Sequence, residues 1–402
     1  MRTVDAAGLA IGDDHPPRIM GVLNVSQESP YDPSVFDDPG EASEYVDERL
    51  IDEGADIVDI GLESANNRFE VLSPEEELDR LDTAIETIES TSGDAVFSIE
   101  TRYHEVAEEA LNRGFDMVND ICGFADPELP RVCREYDVAV CKMASPPDLE
   151  RPGAIEDVDE IYEALGRNGL TEKTIVDPAF GGWSEDKTLE DDRETFRRLR
   201  EFRAIGHPIL VSINRKNFLR NIADRSTEEA LPVSLAATSM AVERGARLIR
   251  THDVAETRDA ALVGYEFERE RTRRHLDDDI AIDELDVTTP REAKRHAARL
   301  ESETDAADNN ATRSESTAWA SQVVSRCFRL DGLPEPARRD FRERARENGV
   351  AVFEGVDGGS DAEVLVGGSH SALRSLADSL LETDCNVPTE LAVTLADSLE
   401  RW

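Results

Sequence analysis

Lysine is almost missing from this sequence. It occurs at five positions, 142, 173, 187, 216 and 294, in a chain whose lysines and arginines together number 45. A chain that has given up nearly all its surface lysines but keeps Lys216 just beyond an apolar run, PILVSI, marks that residue for use. Cysteine is also scarce. The five cysteines, at 122, 133, 141, 327 and 385, have neither the paired spacing of a zinc site nor an even disulfide framework, so buried free thiols are expected. No apolar run approaches the length of a membrane span, and the opening MRTVDAAGLAIGDDHPP has no signal-peptide core; a cytoplasmic protein without membrane contact is expected. There is no GxSxG elbow, no HExxH pair and no Walker or dinucleotide fingerprint. His252 has no sequence-local cysteine partner, so nothing here has the pattern of a covalent catalyst.

Acidic residues are abundant instead. They number 88, which gives a formal net charge of -43. Such a field repels a phosphate backbone and argues against nucleic-acid partners. A surface this acidic and arginine-rich is similar to proteins adapted to high salt, where screening weakens self-repulsion. At 402 residues the chain exceeds what one hydrophobic core commonly fills, so a large domain and a smaller one are expected.

Eight short apolar runs precede residue 260: 18 to 25, 55 to 61, 95 to 100, 115 to 121, 138 to 143, 173 to 178, 208 to 213 and 246 to 252. A helical pattern follows each. Ser73-Pro74 ahead of three glutamates predicts a capped helix start, and Gly114 and Gly245 fall where helix-ending glycines belong. Eight strand-helix repeats in roughly 250 residues predict a (β/α)8 TIM barrel, with a doubly wound open sheet as the alternative. The predicted organisation is a barrel over 1–265, an acidic and partly flexible connecting segment over 266–317, and a small C-terminal α/β module over 318–402. In that module Gly367-Gly368-Ser369-His370 reads as a strand-to-helix turn with a cap.

The polar residues sharpen the barrel reading. Asn24, Asp59, Glu100, Asn119, Asp177, Lys216, Arg250 and His252 all fall at or just beyond strand ends, which in a barrel converge on one rim. Carboxylates accept the amino and ring N–H groups of a planar, nitrogen-rich heterocycle, and Asn or Lys addresses its carbonyl; Glu100, Asn119, Asp177 and Lys216 supply that set. Arg250 and His252 are two apart, so on a strand they lean to one side, where they suit a phosphate. Asn24 offers a neutral oxygen to a hydrated Mg2+ carried with phosphates. This set is suited to positioning and to stabilising a leaving diphosphate.

These residues resemble the dihydropteroate synthase family of pterin-binding barrels over about residues 18 to 262. The resemblance rests on Met20-Gly21-Val22-Leu23-Asn24-Val25, Asp59-Ile60-Gly61 with Glu63-Ser64, Asn119-Asp120-Ile121 followed by Gly123, Asp177-Pro178, Arg215-Lys216-Asn217-Phe218 and Arg250-Thr251-His252-Asp253-Val254. It implies a transferase that joins a dihydropterin methyl diphosphate to 4-aminobenzoate or a related arylamine and releases diphosphate. By the same resemblance Glu100, Asn119, Asp177 and Lys216 hold the pterin, with Asp59 and Ser64 in the substrate-binding set. Asn24, Arg250 and His252 serve Mg2+ and diphosphate, and Arg215 lies beside the arylamine. Lys216, Arg250, His252 and Asp177 are the groups expected to carry the chemistry.

The chain departs from the family pattern in both loops that follow the first two strands, Ser26 to Tyr31 and Leu62 to Arg68. It also has Glu100 where the family has Asp, and Met143-Ala144 where Met-His is common. Two other readings stay open at this stage, a pterin-dependent methyltransferase and a non-catalytic pterin-binding scaffold. A homodimer is expected through the apolar, small-residue-rich stretch 228–244.

Overall fold

The computed structural model describes residues 1–26, 34–64, 69, 71–181, 186–277, 280–302, 309–354, 364–382 and 385–400. Most of the two divergent loops, at 27–33 and 65–68, therefore lies outside the described residues. The chain divides into two compact units, Met1–Glu270 and Arg271–Trp402.

The first unit is a closed, all-parallel barrel. Its strands are β3 (Arg18–Asn24), β4 (Ile57–Gly61), β5 (Val96–Thr101), β6 (Met117–Asp120), β7 (Ala139–Met143), β8 (Thr174–Asp177), β9 (Ile209–Val211) and β10 (Ala246–Thr251), and β10 pairs β3 to close the ring. All eight predicted strands are present, and closure rules out the open sheet. Parallel strands covered on both faces read as continuous apolar runs, and from β3 to β10 nearly every strand residue is buried. The outer helices are α1 (Pro39–Tyr45), α2 (Pro74–Ser90), α3 (His104–Asn112), α4 (Leu129–Glu135), α5 (Val158–Gly166), α6 (Leu189–Arg197), α7 (Asn217–Ala223), α8 (Leu231–Glu243) and α9 (Val254–Glu266). Ser73 and Glu76 form the expected reciprocal cap at the start of α2, with Ser73 N–H donating to Glu76 at 2.8 Å and Glu76 N–H to Ser73 Oγ at 3.3 Å.

A hairpin absent from the sequence reading closes the other end of the barrel. Strands β1 (Val4–Ala6) and β2 (Leu9–Ile11) join through Ala7 and Gly8, both at positive φ, the conformation a two-residue hairpin turn requires. Val4, Ala6 and Ile11 pack under Met20, Ile57, Val96, Met117 and Leu248, which form the lowest inward layer of the strands. In β10 Arg247 is an extra residue, since Ala246 and Leu248 oppose consecutive residues of β9. The bulge lets this buried arginine reach Asp13 at 2.9 Å and Glu268 at 2.7 Å.

The second unit is built on a three-stranded antiparallel sheet with β15 (Val364–Ser369) between β13 (Ser325–Leu330) and β14 (Ala351–Glu354). Helices α12 (Glu335–Glu347), α13 (His370–Glu382) and α14 (Thr389–Glu400) share its core, which includes Leu333, Phe341, Val366, Leu373 and Leu376. Gly367 and Gly368 continue β15 straight into α13, and Ser369 Oγ caps it by accepting from Ala372 N–H at 3.2 Å.

Two expectations change here. The segment 266–317, read as an acidic and partly flexible connection, contains the start of a helix, α11 (Asn309–Val323), among its described residues. It pairs with α10 (Pro290–Ser302) around Ala293, Ala320 and Val324, a core too small to register as an apolar run. The stretch 271–317 thus belongs to the second unit, which also holds a hairpin of β11 (Arg273–Asp277) and β12 (Ile280–Asp283). The cysteines also differ. Cys122, Cys133 and Cys141 are buried free thiols as expected, but Cys327 is exposed on β13 and Cys385 is half-buried.

Candidate active site

Strand alternation builds the site. Ile57, Val96, Met117, Ile175 and Leu248 face the barrel interior near its closed end. Two residues on, and therefore on the same face, come Asp59, Ser98, Asn119, Asp177 and Arg250. Each strand is thus apolar low in the barrel and polar at its C-terminal end.

These groups meet. Arg250 donates from Nε to Asp59 Oδ2 at 2.7 Å and from Nη2 to Glu100 Oε2 at 2.6 Å. Asn119 Nδ2 donates to the same Asp59 oxygen at 2.9 Å and lies 3.5 Å from Glu100 Oε2. The groups expected for phosphate and for the heterocycle are therefore joined through Arg250. Asp59 Oδ1 is buried and has no hydrogen-bond partner among the described residues, which leaves an acceptor at the centre of the rim.

Burial shapes the charges. Glu100 is pushed up to about 7, chiefly by desolvation and then by Asp59 and Glu63, against the pull of Arg250. Asp177 rises to about 6 through burial, although Ala179 N–H donates to its Oδ1 at 2.8 Å. His252 falls to about 3 because it is buried and near Arg250, so it is neutral at pH 7 and offers hydrogen bonds without charge. Lys216 is lowered by burial and by Arg250, while Asp192 and Asp177 oppose that shift.

Lys216 stands at the N-cap position of α7, at the end of the turn after β9. A cavity of about 200 Å³ is lined by Lys216, Arg250, His252, Ser212 and Val22, together with Arg215. Lys216 runs close to Gly181, at φ +123°, where an added Cβ would lie 2.9 Å from Lys216 Nζ. The segment carrying Gly181 is anchored by Phe180, which stacks on Phe218 at 5.7 Å and meets Phe196 edge-on at 6.1 Å. The turn after β8 and the helix beginning at Lys216 thus share one aromatic anchor.

Three expected residues stand differently from the rest. Arg215 lines the cavity, but its guanidinium is held by Asp253 at 2.8 and 2.9 Å and by the carbonyls of Thr227 and Glu228 at 2.8 and 2.9 Å. It therefore clamps the loop before α8. Ser64 is buried but makes no hydrogen bond to the Asp59–Arg250–Glu100 network among the described residues. Asn24 Nδ2 donates to Ser34 Oγ at 3.0 Å, so its amide oxygen is the group left to a ligand. A Cβ on Gly61 would lie 3.3 Å from that oxygen and 3.7 Å from Glu100 Oε1, so the glycine keeps space open between them.

The sequence reading missed a second buried layer. Arg102 donates to Glu63 Oε2 at 2.9 Å and to the Leu149 carbonyl, and Thr101 Oγ1 donates to Glu77 Oε2 at 2.6 Å. Glu77, buried beside Glu63, is raised to about 8. Nothing in the apolar pattern marks these charges as buried, because Glu77 sits among surface glutamates at the start of α2. His104, Glu105 and Asp126 also have metal-ligand spacing, but His104 Nδ1 and its backbone N–H already engage Asp126 at 2.8 and 2.9 Å, as a helix-start contact.

A parallel barrel whose strand ends gather carboxylates, an amide and two cations beside a small cavity has the make-up of a barrel enzyme with a polar, charged active-site rim. The profile of the pterin binding enzyme family matches residues 20–252. A dihydropteroate synthase from Clostridium beijerinckii is 33% identical over 250 residues, covering 60% of this chain and 91% of that protein. A probable bifunctional folylpolyglutamate synthase/dihydropteroate synthase from Halobacterium salinarum is 35% identical over 250 residues, 59% of this chain but 30% of that longer protein. The Coxiella burnetii dihydropteroate synthase, solved with pteroic acid, superposes with a TM-score of 0.55 at 31% identity over 65% of this chain and 97% of that one. The Thermus thermophilus enzyme with 4-aminobenzoate gives 0.54 at 31% identity, over 66% and 100%. The chain belongs to the dihydropteroate synthase family of pterin-binding enzymes, and its barrel is that of a transferase.

Proposed function

We propose that the protein joins a 7,8-dihydropterin methyl diphosphate to 4-aminobenzoate or a related arylamine and releases diphosphate. The observation that carries this reading is the rim network in which Arg250 ties Asp59 and Glu100 together beside Asn119, with Lys216 and His252 around the adjoining cavity. In this reading Asp59, Glu100 and Asp177 accept the pterin N–H groups and Lys216 donates to its carbonyl. The bond between the pterin methylene and the diphosphate oxygen breaks, and its electron pair leaves with diphosphate. The arylamine nitrogen then forms the new C–N bond and gives up one proton. Neutral His252 donates to a diphosphate oxygen, and Arg250 balances charge on both sides of the breaking bond. Half-buried donors fixed before the substrate arrives suit a cation-like transition state better than a protein nucleophile would.

Mg2+ fits this reading as part of the diphosphate substrate. Asn24 would lend its amide oxygen into the space that Gly61 leaves open, with water and diphosphate completing the shell. The ion would neutralise charge on the leaving group. The homodimer through 228–244 draws support from the surface around α8 and α9, where Met240, Leu262, Val263 and Phe267 are exposed in an otherwise charged chain.

Turnover of both substrates in molar salt, with diphosphate released in step with product, tests the proposal. Methyl transfer to a supplied corrinoid protein without diphosphate release would replace it with the methyltransferase reading. Pterin binding without turnover of either kind would leave a scaffold.

A further inference from the structure

Two buried charges behind the rim belong to no ligand set considered so far. Lys187 and Asp192 are almost fully buried, with their charged ends 3.5 Å apart. Burying such a pair is costly unless further hydrogen bonds satisfy both charged groups. Both reach the short turn that follows β8. Lys187 Nζ donates to the Ala179 carbonyl at 2.7 Å, and Asp192 Oδ1 accepts from Gly181 N–H at 3.2 Å. Ala179 and Gly181 are both at positive φ, at +62° and +123°, so the turn between them is one the chain does not adopt readily without outside support.

The same turn fixes both sides of the pterin pocket. Its Ala179 N–H donates to Asp177 Oδ1 at 2.8 Å, and its Gly181 lies so close to the Lys216 ammonium that an added Cβ would stand 2.9 Å from Nζ. We propose that Lys187 and Asp192 are a positioning pair for pterin recognition: they hold the 177–181 turn, and through it aim the Asp177 carboxylate and seat the Lys216 ammonium. The inference rests on the synthase reading above, and it names residues that act through others without touching the substrate.

The pair also acts on Lys216 through charge, and with opposite signs. Lys216 is faced by Asp177 from β8, Asp192 from α6, Lys187 from the segment before α6, and Arg250 and His252 from the end of β10. Lys187 and Arg250 disfavour its charged form, and Asp192 and Asp177 favour it. Removing Lys187 therefore raises the Lys216 pKa, and removing the Asp192 charge lowers it. Opposite shifts mark both charges as close enough to Lys216 to act on it, while the loss of dihydropterin affinity reports their hold on the turn.

Free dihydropterin affinity is measured by calorimetry from neutral to alkaline pH for wild type, Lys187→Met, Asp192→Asn and the double variant, with the arylamine KM taken alongside. Each single variant is expected to bind dihydropterin roughly tenfold more weakly, the worth of one lost hydrogen bond at a buried turn. The arylamine KM is expected to stay unchanged. The alkaline loss of affinity should move to higher pH in Lys187→Met and to lower pH in Asp192→Asn. If a single variant fails to fold, the double variant, which leaves neither charge buried alone, carries the test: weakened affinity with the alkaline limb near its wild-type position. Wild-type affinity in every variant, limbs that move the same way, or an arylamine KM that rises with the loss of pterin affinity would each overturn the pair. Absence of dihydropterin binding by wild type would instead remove the functional reading itself.

Discussion

The scarcity of lysine pointed to Lys216, but the structure applies the same logic to its neighbours. Lys142 and Lys187 are buried, and Lys142 donates to the carbonyls of Leu165, Arg167 and Gly169 at the end of α5, where burial lowers it to about 8. A chain that keeps few lysines keeps several of them for places where a compact ammonium meets carbonyls or carboxylates. Replacing Lys216 by Met should leave the barrel folded and weaken dihydropterin binding by roughly 1.5 to 3 kcal/mol, read by calorimetry beside thermal unfolding in the same molar-salt buffer. Arg250 behaves differently. Because it pairs with two carboxylates, Arg250→Ala should cost roughly 3 to 5 kcal/mol of stability in addition to any loss of ligand, visible as a lowered Tm without substrate. Glu77 supplies a pH test. Its folded pKa, about 8, lies above its ordinary value of 4.5, so the folded state holds a proton that the unfolded state has released, and wild-type stability falls as pH rises through that window. Glu77→Gln lacks this titration. Its Tm should therefore gain on wild type steadily between those two pH values, and an unchanging difference would show that Glu77 ionises normally.

Among the elements, the hairpin β1–β2 and the turn after β8 work at opposite ends of the barrel. The hairpin seals the lowest layer of the interior and touches none of the rim residues named above. Ile11→Ala removes a fully buried side chain from that seal and should destabilise the barrel by roughly 2 to 4 kcal/mol, with little change in the KM for either substrate. A large KM change in a folded variant would mean that the two ends are mechanically linked. The helix pair α8–α9 has a different task. Ser239 Oγ donates to the Ala260 carbonyl at 2.7 Å, and a Cβ on Gly264 would lie 2.4 Å from the Ser239 carbonyl, so the helices approach too closely for any larger residue. That approach turns Met240, Leu262 and Val263 outward as the proposed dimer face.

For the molecule as a whole, charge is the dominant fact. A net charge of -43 repels itself in dilute buffer, and salt at molar concentration shortens the screening length to about 3 Å. Thermal stability should therefore rise with salt, and assays at low ionic strength should report unfolding before they report chemistry. In molar salt, light scattering should give twice 44.5 kDa; a concentration-independent monomer would remove the dimer. No described helix is long and apolar enough to cross a membrane.

The eight strands were legible from sequence because a parallel strand buried on both faces must be apolar along its length, and such runs are short, bounded and countable. Their polar ends were legible for the same reason: Asp59, Glu100, Asn119, Asp177 and Arg250 interrupt apolar runs where a barrel places its rim. The β1–β2 hairpin was not legible, since three-residue strands in VDAAGLAI carry too little pattern to separate from a loop. Nor was the helix from Asn309, whose alanine-lined core leaves no apolar run. The sequence by itself determined which residues line the barrel and which groups end its strands, because burial and strand alternation are local properties. Only the tertiary structure decided that Arg250 joins the carboxylates, that Arg215 is held by Asp253, and that Lys187 and Asp192 stand behind the turn bearing Gly181. Those relations are distances between separate elements, and charges 38 or 191 residues apart acquire partners only when the chain has closed around them.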